Sequence, residues 1–522
     1  MLQLRDDSLE WALAHVIRFG DTDVFPVPFE YAAIGHDWAN VKAHLASADV
    51  LQWTTRPQRI LLSPKARNGF RVITQLDPLD FLVFSALVKE LAIDLETRRI
   101  PLAQSRVFSY RAVPLANGQL FDPNVGYRQF LDVCRDKLRG NPANQFVAVT
   151  DISDFYARIY HHRLENALQT ATTRGNHVRA VMRLLSGWNG TETFGIPIGG
   201  APSRLLAEIT LADVDEALLA AGIDFIRFND DYRIFGDSYE RCYRAITFLA
   251  ETLYRNHGLN LQPQKTEVLA AAQFSDKYLV TPLDRELNSL HARFEGLAAE
   301  LGLNDWYESI EYDDLDDEQQ EAIDSLNLQE LFREELQEDE PELPIIRFIL
   351  RRLSQLGDDS LVDDIFFALD KLHPALPDIC RYVQSLRHLN AEERSALGAR
   401  MLNLLNGSVV SELPYHRMWI LDLFVHSREW DNERQFFNLY GAEGDQACKR
   451  NLILAMGRTH QAHWFQSQWR TLFDQPHWPR RALIAGASCM AADARRHWYR
   501  SIEPQLDTLE LAVARWAQRH PF

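Results

Sequence analysis

Apolar positions along the first half of the chain change period repeatedly, and each change predicts an element. Residues 9–19, 80–96 and 238–257 carry apolar side chains at helical spacing. Between them, short runs of β-branched and aromatic residues read as strands. Residues 59–63 and 70–73 flank Pro64-Lys65-Ala66-Arg67-Asn68-Gly69, whose Asn-Gly pair signals a turn. Residues 145–150 form a buried-strand pattern ending at Asp151. Residues 225–228 and 232–235 enclose a polar tip, Asn229-Asp230-Asp231, and read as a β-hairpin. Residues 20–30 are irregular, because Pro26 and Pro28 cannot donate to a central ladder, and Asp21 and Asp23 there read as caps. From Pro344 onward almost every segment is helical: 345–356, 359–372, 376–389, 391–405, 414–426 and 447–455. Gly357, Pro374 and Gly407 act as stops. Stacked helix pairs fit this pattern, without a crisp repeat period.

The expected architecture is therefore α+β in the first half, followed by an all-α helical-repeat domain of HEAT-like character. The boundaries are a first domain over 1–285, an acidic segment over 286–343 and a helical domain over 344–522. A chain of 522 residues has ample material for such cores. No run approaches a membrane span, and the N-terminus MLQLRDDSLE lacks the pattern of a signal peptide. The five cysteines are scattered, which fits reduced core residues in a cytoplasmic protein. The net charge of −18 would argue against a nucleic-acid partner if it were spread evenly. Residues 305–342 hold 17 acids and one base, Arg333, so the remainder stands at −2 and retains room for basic grooves.

The candidate chemistry begins at the hairpin tip. Adjacent carboxylates near a core are costly unless a cation neutralises them. Asp151 supplies a third acid at the end of a core strand, where α/β-type sheets place their chemistry. Asp154 reads as a helix cap and the pair His161-His162 as non-ligands, since neighbouring helical positions point apart. Lys65, Arg67 and Arg71 put three cations on one small hairpin and suit a triphosphate clamp. Gly195 to Ser203 form a Gly/Pro loop before a helix, with Gly199 and Gly200 allowing close backbone approach; no Gly-Lys-Ser/Thr follows, so it is not a P-loop. Lys265 lies on an exposed turn. Two stretches mix aromatic and basic residues as nucleic-acid surfaces do, QSRVFSYR at 104–111 and the Trp/Arg-rich 460–498. For the second, a helical core with capping arginines is the favoured reading.

Taken in order, these blocks resemble the reverse-transcriptase family over roughly residues 20–285. Thr150-Asp151 with Phe155-Tyr156 resembles its first palm motif, and Gly195 through Ser203 its glycine loop. Phe228-Asn229-Asp230-Asp231 resembles its aromatic-x-Asp-Asp box, Lys265 its lysine motif, and Lys65 to Arg71 its fingers hairpin. Ile198 and Glu208 depart from the Gln and Asn common in the family, at positions that the resemblance puts near the nascent base pair. With its helical second half, the chain is most similar to bacterial abortive-infection, or defence-associated, reverse transcriptases.

The resemblance implies a magnesium-dependent DNA polymerase acting in antiphage defence. Two Mg2+ ions, or Mn2+ in their place, would be held by Asp151, Asp230, Asp231 and the Ile152 carbonyl. Lys65 and Arg71 would grip the phosphates, Gly199 would line the nucleotide site, Tyr156 would exclude a 2′-hydroxyl, and Lys265 would donate to the leaving pyrophosphate. Ser203 and Arg204 would support the loop. The implied partners are dNTPs and nucleic acid, as single-stranded DNA product and RNA template or associated non-coding RNA. Synthesis is RNA-templated or template-independent, and starts from a 3′ hydroxyl or a protein tyrosine, with Tyr31 and Tyr110 among the candidates. A homo-oligomer and no membrane are expected. The rival reading is a degenerate polymerase fold serving as a nucleic-acid-binding scaffold.

Overall fold

The structure, a computed structural model, describes residues 1–65, 69–279, 328–426, 430 and 432–522. Its contacts divide the chain into two compact units. The first holds Met1–Phe25, Leu45–Ile60 and Ile73–Ile310, and the second Pro26–His44, Leu61–Val72 and Glu311–Phe522.

Among the described residues six strands are formed: β1 (Arg59–Pro64), β2 (Phe70–Gln75), β3 (Phe146–Asp151), β4 (Asp224–Phe228), β5 (Asp231–Gly236) and β6 (Glu267–Ala270). β1 and β2 make a two-stranded sheet; the other four form one sheet in the order β4-β5-β3-β6, antiparallel throughout. Val147 and Val149 of β3, Ile226 and Phe228 of β4 and Phe235 of β5 join Phe108, Phe130 and Phe274 in one buried cluster. The helix Tyr239–His257 packs on β3, β5 and β6. It starts where Ser238 Oγ accepts from the Arg241 amide and stops at Gly258, whose φ of +66° suits glycine. The helix Pro78–Arg98 begins on the Asp77 carboxylate, which accepts from the Leu79 amide, and buries residues on all faces.

In the second unit, helices stack in a row: Leu343–Leu356 on Leu376–Ser385, then Pro414–His426, Gln446–Arg458, His477–Gly486 and Thr508–Arg519. Residues 359–372, expected as one helix, split into Val362–Phe367 and Leu369–Leu372. Trp478, Trp498 and Arg481 are buried, as a helical core requires, while Trp469 remains exposed. The acidic stretch over 305–327 lies outside the described residues. Its continuation forms the helix Leu328–Gln337, which buries Leu331 and Phe332.

The division of the chain differs from the expected boundary at 285. The short helix Glu30–His36 packs on Thr508–Arg519 within the second unit. The wholly buried Glu30 carboxylate lies 2.7 Å from Arg450 Nη2 and 3.1 Å from Arg481 Nε. Phe29 stacks on Trp516, and Arg515 donates to Asp37. A buried carboxylate needs such partners, and no local pattern reveals that they lie 420 and 451 residues away.

Candidate active site

β4 and β5 pair down to Phe228 opposite Asp231, which leaves Asn229 and Asp230 as the turn. Asn229 sits at φ +54°, a left-handed conformation that Asn tolerates better than most residues. Its amide donates to Ser109 Oγ at 2.7 Å, and its carbonyl accepts from Arg227 Nη1 at 2.7 Å. Its side chain accepts from the Tyr156 hydroxyl at 3.2 Å and donates to Asp230 Oδ1 at 2.9 Å. The central position of β3 then brings in the third acid: Asp151 is in register opposite Asp231. The Ile152 amide donates to the Asp230 carbonyl at 3.2 Å, so Ile152 lies beside the turn as well. Asp151, Asp230 and Asp231 thus converge at one end of the sheet from strands about 80 residues apart.

Their electrostatics follow from this crowding. Burial, and then the Asp151 and Asp231 carboxylates, push the Asp230 carboxyl well above its usual range. Two chain cations offset part of the charge. Lys265 Nζ is 2.6 Å from Asp151 Oδ2, and Arg233 Nη1 is 3.1 Å from Asp231 Oδ1. Burial opposes the charge on Lys265, but the three carboxylates outweigh it and raise its pKa.

Three converging carboxylates are a hard-oxygen donor set, which fits divalent cations such as Mg2+ or Mn2+. A second acidic group, His477, Asp507 and Glu510, brings its ligand atoms within 4.8 Å of one another in the second unit. It is accounted for locally: Asp507 and Glu510 form the capping box of the helix Thr508–Arg519, and Glu510 pairs with Arg480 at 3.1 Å.

The other expected site residues fall in three groups. Tyr156 is buried beside the turn, and its carbonyl accepts from Ile196 in the glycine loop. Gly199 lines a cavity of about 200 Å³ with Asp21, Thr22, Asp23, Phe121 and Arg204. Its φ is +113°, and an added Cβ would lie 3.1 Å from Thr22 Cβ. Ser203 is buried, while Arg204 donates to Asp23. Lys65 and Arg71 stand on the β1–β2 hairpin in the segment grouped with the second unit, where Arg71 lies near Arg347. Arg67 lies outside the described residues.

Two expectations need correction. The QSRVFSYR stretch is not a nucleic-acid surface. Arg106 and Phe108 exchange main-chain hydrogen bonds with Arg227, which buries Val107, Phe108 and Ser109 along the sheet edge. Glu208, which departs from the family's usual Asn, is fully buried and paired with Arg99 and Arg227. Tyr31 and Tyr110 are both buried, unlike Tyr239, Tyr243 and Tyr254.

Ser109, Arg99, Asp215 and Arg227 were missed as residues of the site, while Glu208 came to notice only through the resemblance. One signal was available: Arg227 interrupts an apolar strand, and a charge in that setting needs buried partners.

A four-stranded antiparallel sheet carrying three converging aspartates, with helices behind it, defines a reverse-transcriptase-like domain joined to a largely helical second unit. Residues 64–312 match the family described as "Reverse transcriptase (RNA-dependent DNA polymerase)", which supports a nucleotidyltransferase domain in this half of the chain. A search of curated proteins found no match. Among solved structures, the chain is similar to apo telomerase from Candida tropicalis truncated from its C-terminal domain, at 14% identity and a TM-score of 0.31, covering 42% of this chain and 50% of that one. Telomerase from Candida tropicalis in complex with a TWJ fragment of telomeric RNA matches at 12% identity and 0.34, covering 67% and 66%. The Candida albicans complex matches at 12% and 0.33, covering 80% and 65%. The chain therefore spans half to about two thirds of the length of these telomerase chains. Among the described residues, no helix is long and apolar enough to cross a membrane.

Proposed function

We propose that this chain is a divalent-metal-dependent DNA polymerase that adds deoxynucleotides to a hydroxyl. The convergence of Asp151, Asp230 and Asp231 at one sheet end carries this reading. Asp151 and Asp230 would hold both ions, with Asp231 and the Ile152 carbonyl completing the set. Bound there, divalent ions supply charge stabilisation for the attacking and leaving oxygens of an in-line displacement.

The chain's own groups would do the rest. Tyr156 is fixed by its bond to Asn229 and would present its ring to the sugar, where a 2′-hydroxyl clashes. Lys265 pairs with Asp151 and would turn its ammonium to the departing pyrophosphate. Lys65 and Arg71 would bind phosphates. Gly199 would leave the loop backbone open to the nucleotide. The intact acid set speaks for an enzyme over a binding scaffold.

The motifs and the helical second half support a place among cytoplasmic antiphage polymerases, using an RNA template or none, beginning on a nucleic-acid or tyrosine hydroxyl, and working as a homo-oligomer. Asp230→Ala tests the reading in two settings. Incorporation of labelled dNTPs with Mg2+ should fall at least about 1,000-fold, since several kcal/mol of charge stabilisation are lost. Phage plating on cells expressing the variant should rise to the level of cells lacking the protein. Equal incorporation by both proteins would sink the enzymatic reading. Unchanged plating protection would sink the role in defence.

A further inference from the structure

Beneath the acidic turn lies a buried ionic network that takes no part in the chemistry above. Glu208, on the helix Ala201–Thr210, has no exposed surface. One of its oxygens accepts from Ser109 Oγ, and the other meets Arg99 Nη2 at 2.5 Å and Arg227 Nη1 at 3.1 Å. Arg227 is clamped from its other side by Asp215, at 2.9 Å from Nε and 2.6 Å from Nη2. Arg99 Nη2 also donates to the Ser109 carbonyl at 2.7 Å. Two groups of this network reach the turn, and both reach the same residue. Ser109 Oγ accepts the Asn229 amide, and Arg227 Nη1 donates to the Asn229 carbonyl. Asn229 is the residue with the left-handed backbone, and its side chain touches both Asp230 and Tyr156.

We propose that Glu208, acting through Ser109 and Arg227, is a positioning residue that fixes the Asn229 backbone and so sets the geometry of the Asp230-Asp231 pair for divalent cations. This rests on the polymerase reading of that pair. The physics is that of an outer layer around a metal site. A strained turn keeps one conformation only if its surroundings over-determine it, and bonds to both peptide groups of Asn229 do so. Among the described residues, Glu208 is the one carboxylate bonded to both Ser109 and Arg227. Desolvated charges make the arrangement stiff, because a Glu208 carboxylate released from both arginines would be left buried without a counter-charge.

The test is Mn2+ binding to the full chain, read by electron paramagnetic resonance, for wild type, Glu208→Gln, Ser109→Ala and Asp230→Ala. Asp77→Asn serves as comparator. It also breaks a buried ion pair, with Arg56 at 3.0 Å, but touches no part of the turn. Glu208→Gln and Ser109→Ala should each weaken Mn2+ binding roughly 10-fold or more, while Asp77→Asn binds as wild type does. Ser109→Ala removes a single hydroxyl and keeps the question open to decision should Glu208→Gln fail to fold. Wild-type Mn2+ affinity in Ser109→Ala, or an equal loss in Asp77→Asn, overturns the positioning role alone. Equal binding by wild type and Asp230→Ala would instead take down the metal-site reading beneath it.

Discussion

At the residue scale, the decisive contacts are those of single polar side chains held out of water. Tyr156 is one. If its ring excludes a 2′-hydroxyl, Tyr156→Gly should raise rNTP use relative to dNTP use roughly 10-fold or more, measured as a ratio of kcat/KM values. An unchanged ratio would leave Tyr156 as core packing. Asp21 is another. Burial holds its carboxyl up at about 7, although Gln75 and the Thr22 amide hydrogen-bond to it. A carboxyl raised in the folded state binds its proton more tightly there than in the unfolded chain. It therefore contributes stability below the unfolded value near 4, and that contribution is lost as pH rises through 7. Asp21→Asn should accordingly gain in Tm over wild type on going from pH 5 to pH 8. A difference in Tm that stays constant across that range would contradict the assignment.

At the element scale, the glycine loop and the β4–β5 hairpin show how far local pattern reaches. The hairpin was legible because Asn and Asp between two apolar arms are the residue types that a tight turn favours. The loop was legible as Gly/Pro-rich, but the need for glycine at 199 comes from outside it. There the φ of +113° coincides with the close approach of Thr22. Gly199→Ala should destabilise the protein by about 1–3 kcal/mol, the usual cost of holding an L-residue in such a conformation, seen as a lower Tm. The QSRVFSYR stretch was misread because its composition fits an exposed surface. Its burial follows from main-chain hydrogen bonds to β4, which leave no mark on side-chain identity.

At the scale of the whole molecule, the second unit is a row of helices closed by a segment from the start of the chain. Its helices were readable one by one from their spacing and stops. The incorporation of Pro26–His44 was not, since Glu30 looks like any surface acid until Arg450 and Arg481 stand beside it. Glu30→Ala removes the carboxylate that pairs with two buried arginines and should cost roughly 3–5 kcal/mol. Unfolding in denaturant should then show the second unit melting earlier, and an unshifted midpoint would mean that the triad contributes little.

The sequence by itself determined the elements, the turn that carries two aspartates, and the set of acids able to meet, because these depend on period, turn chemistry and charge within a few residues. Only the tertiary structure decided which buried charges pair. It put Glu208 and Ser109 beneath the turn and Glu30 among the last helices. Those choices depend on where distant segments exclude water together, and a desolvated charge accepts whichever partner the fold delivers to it.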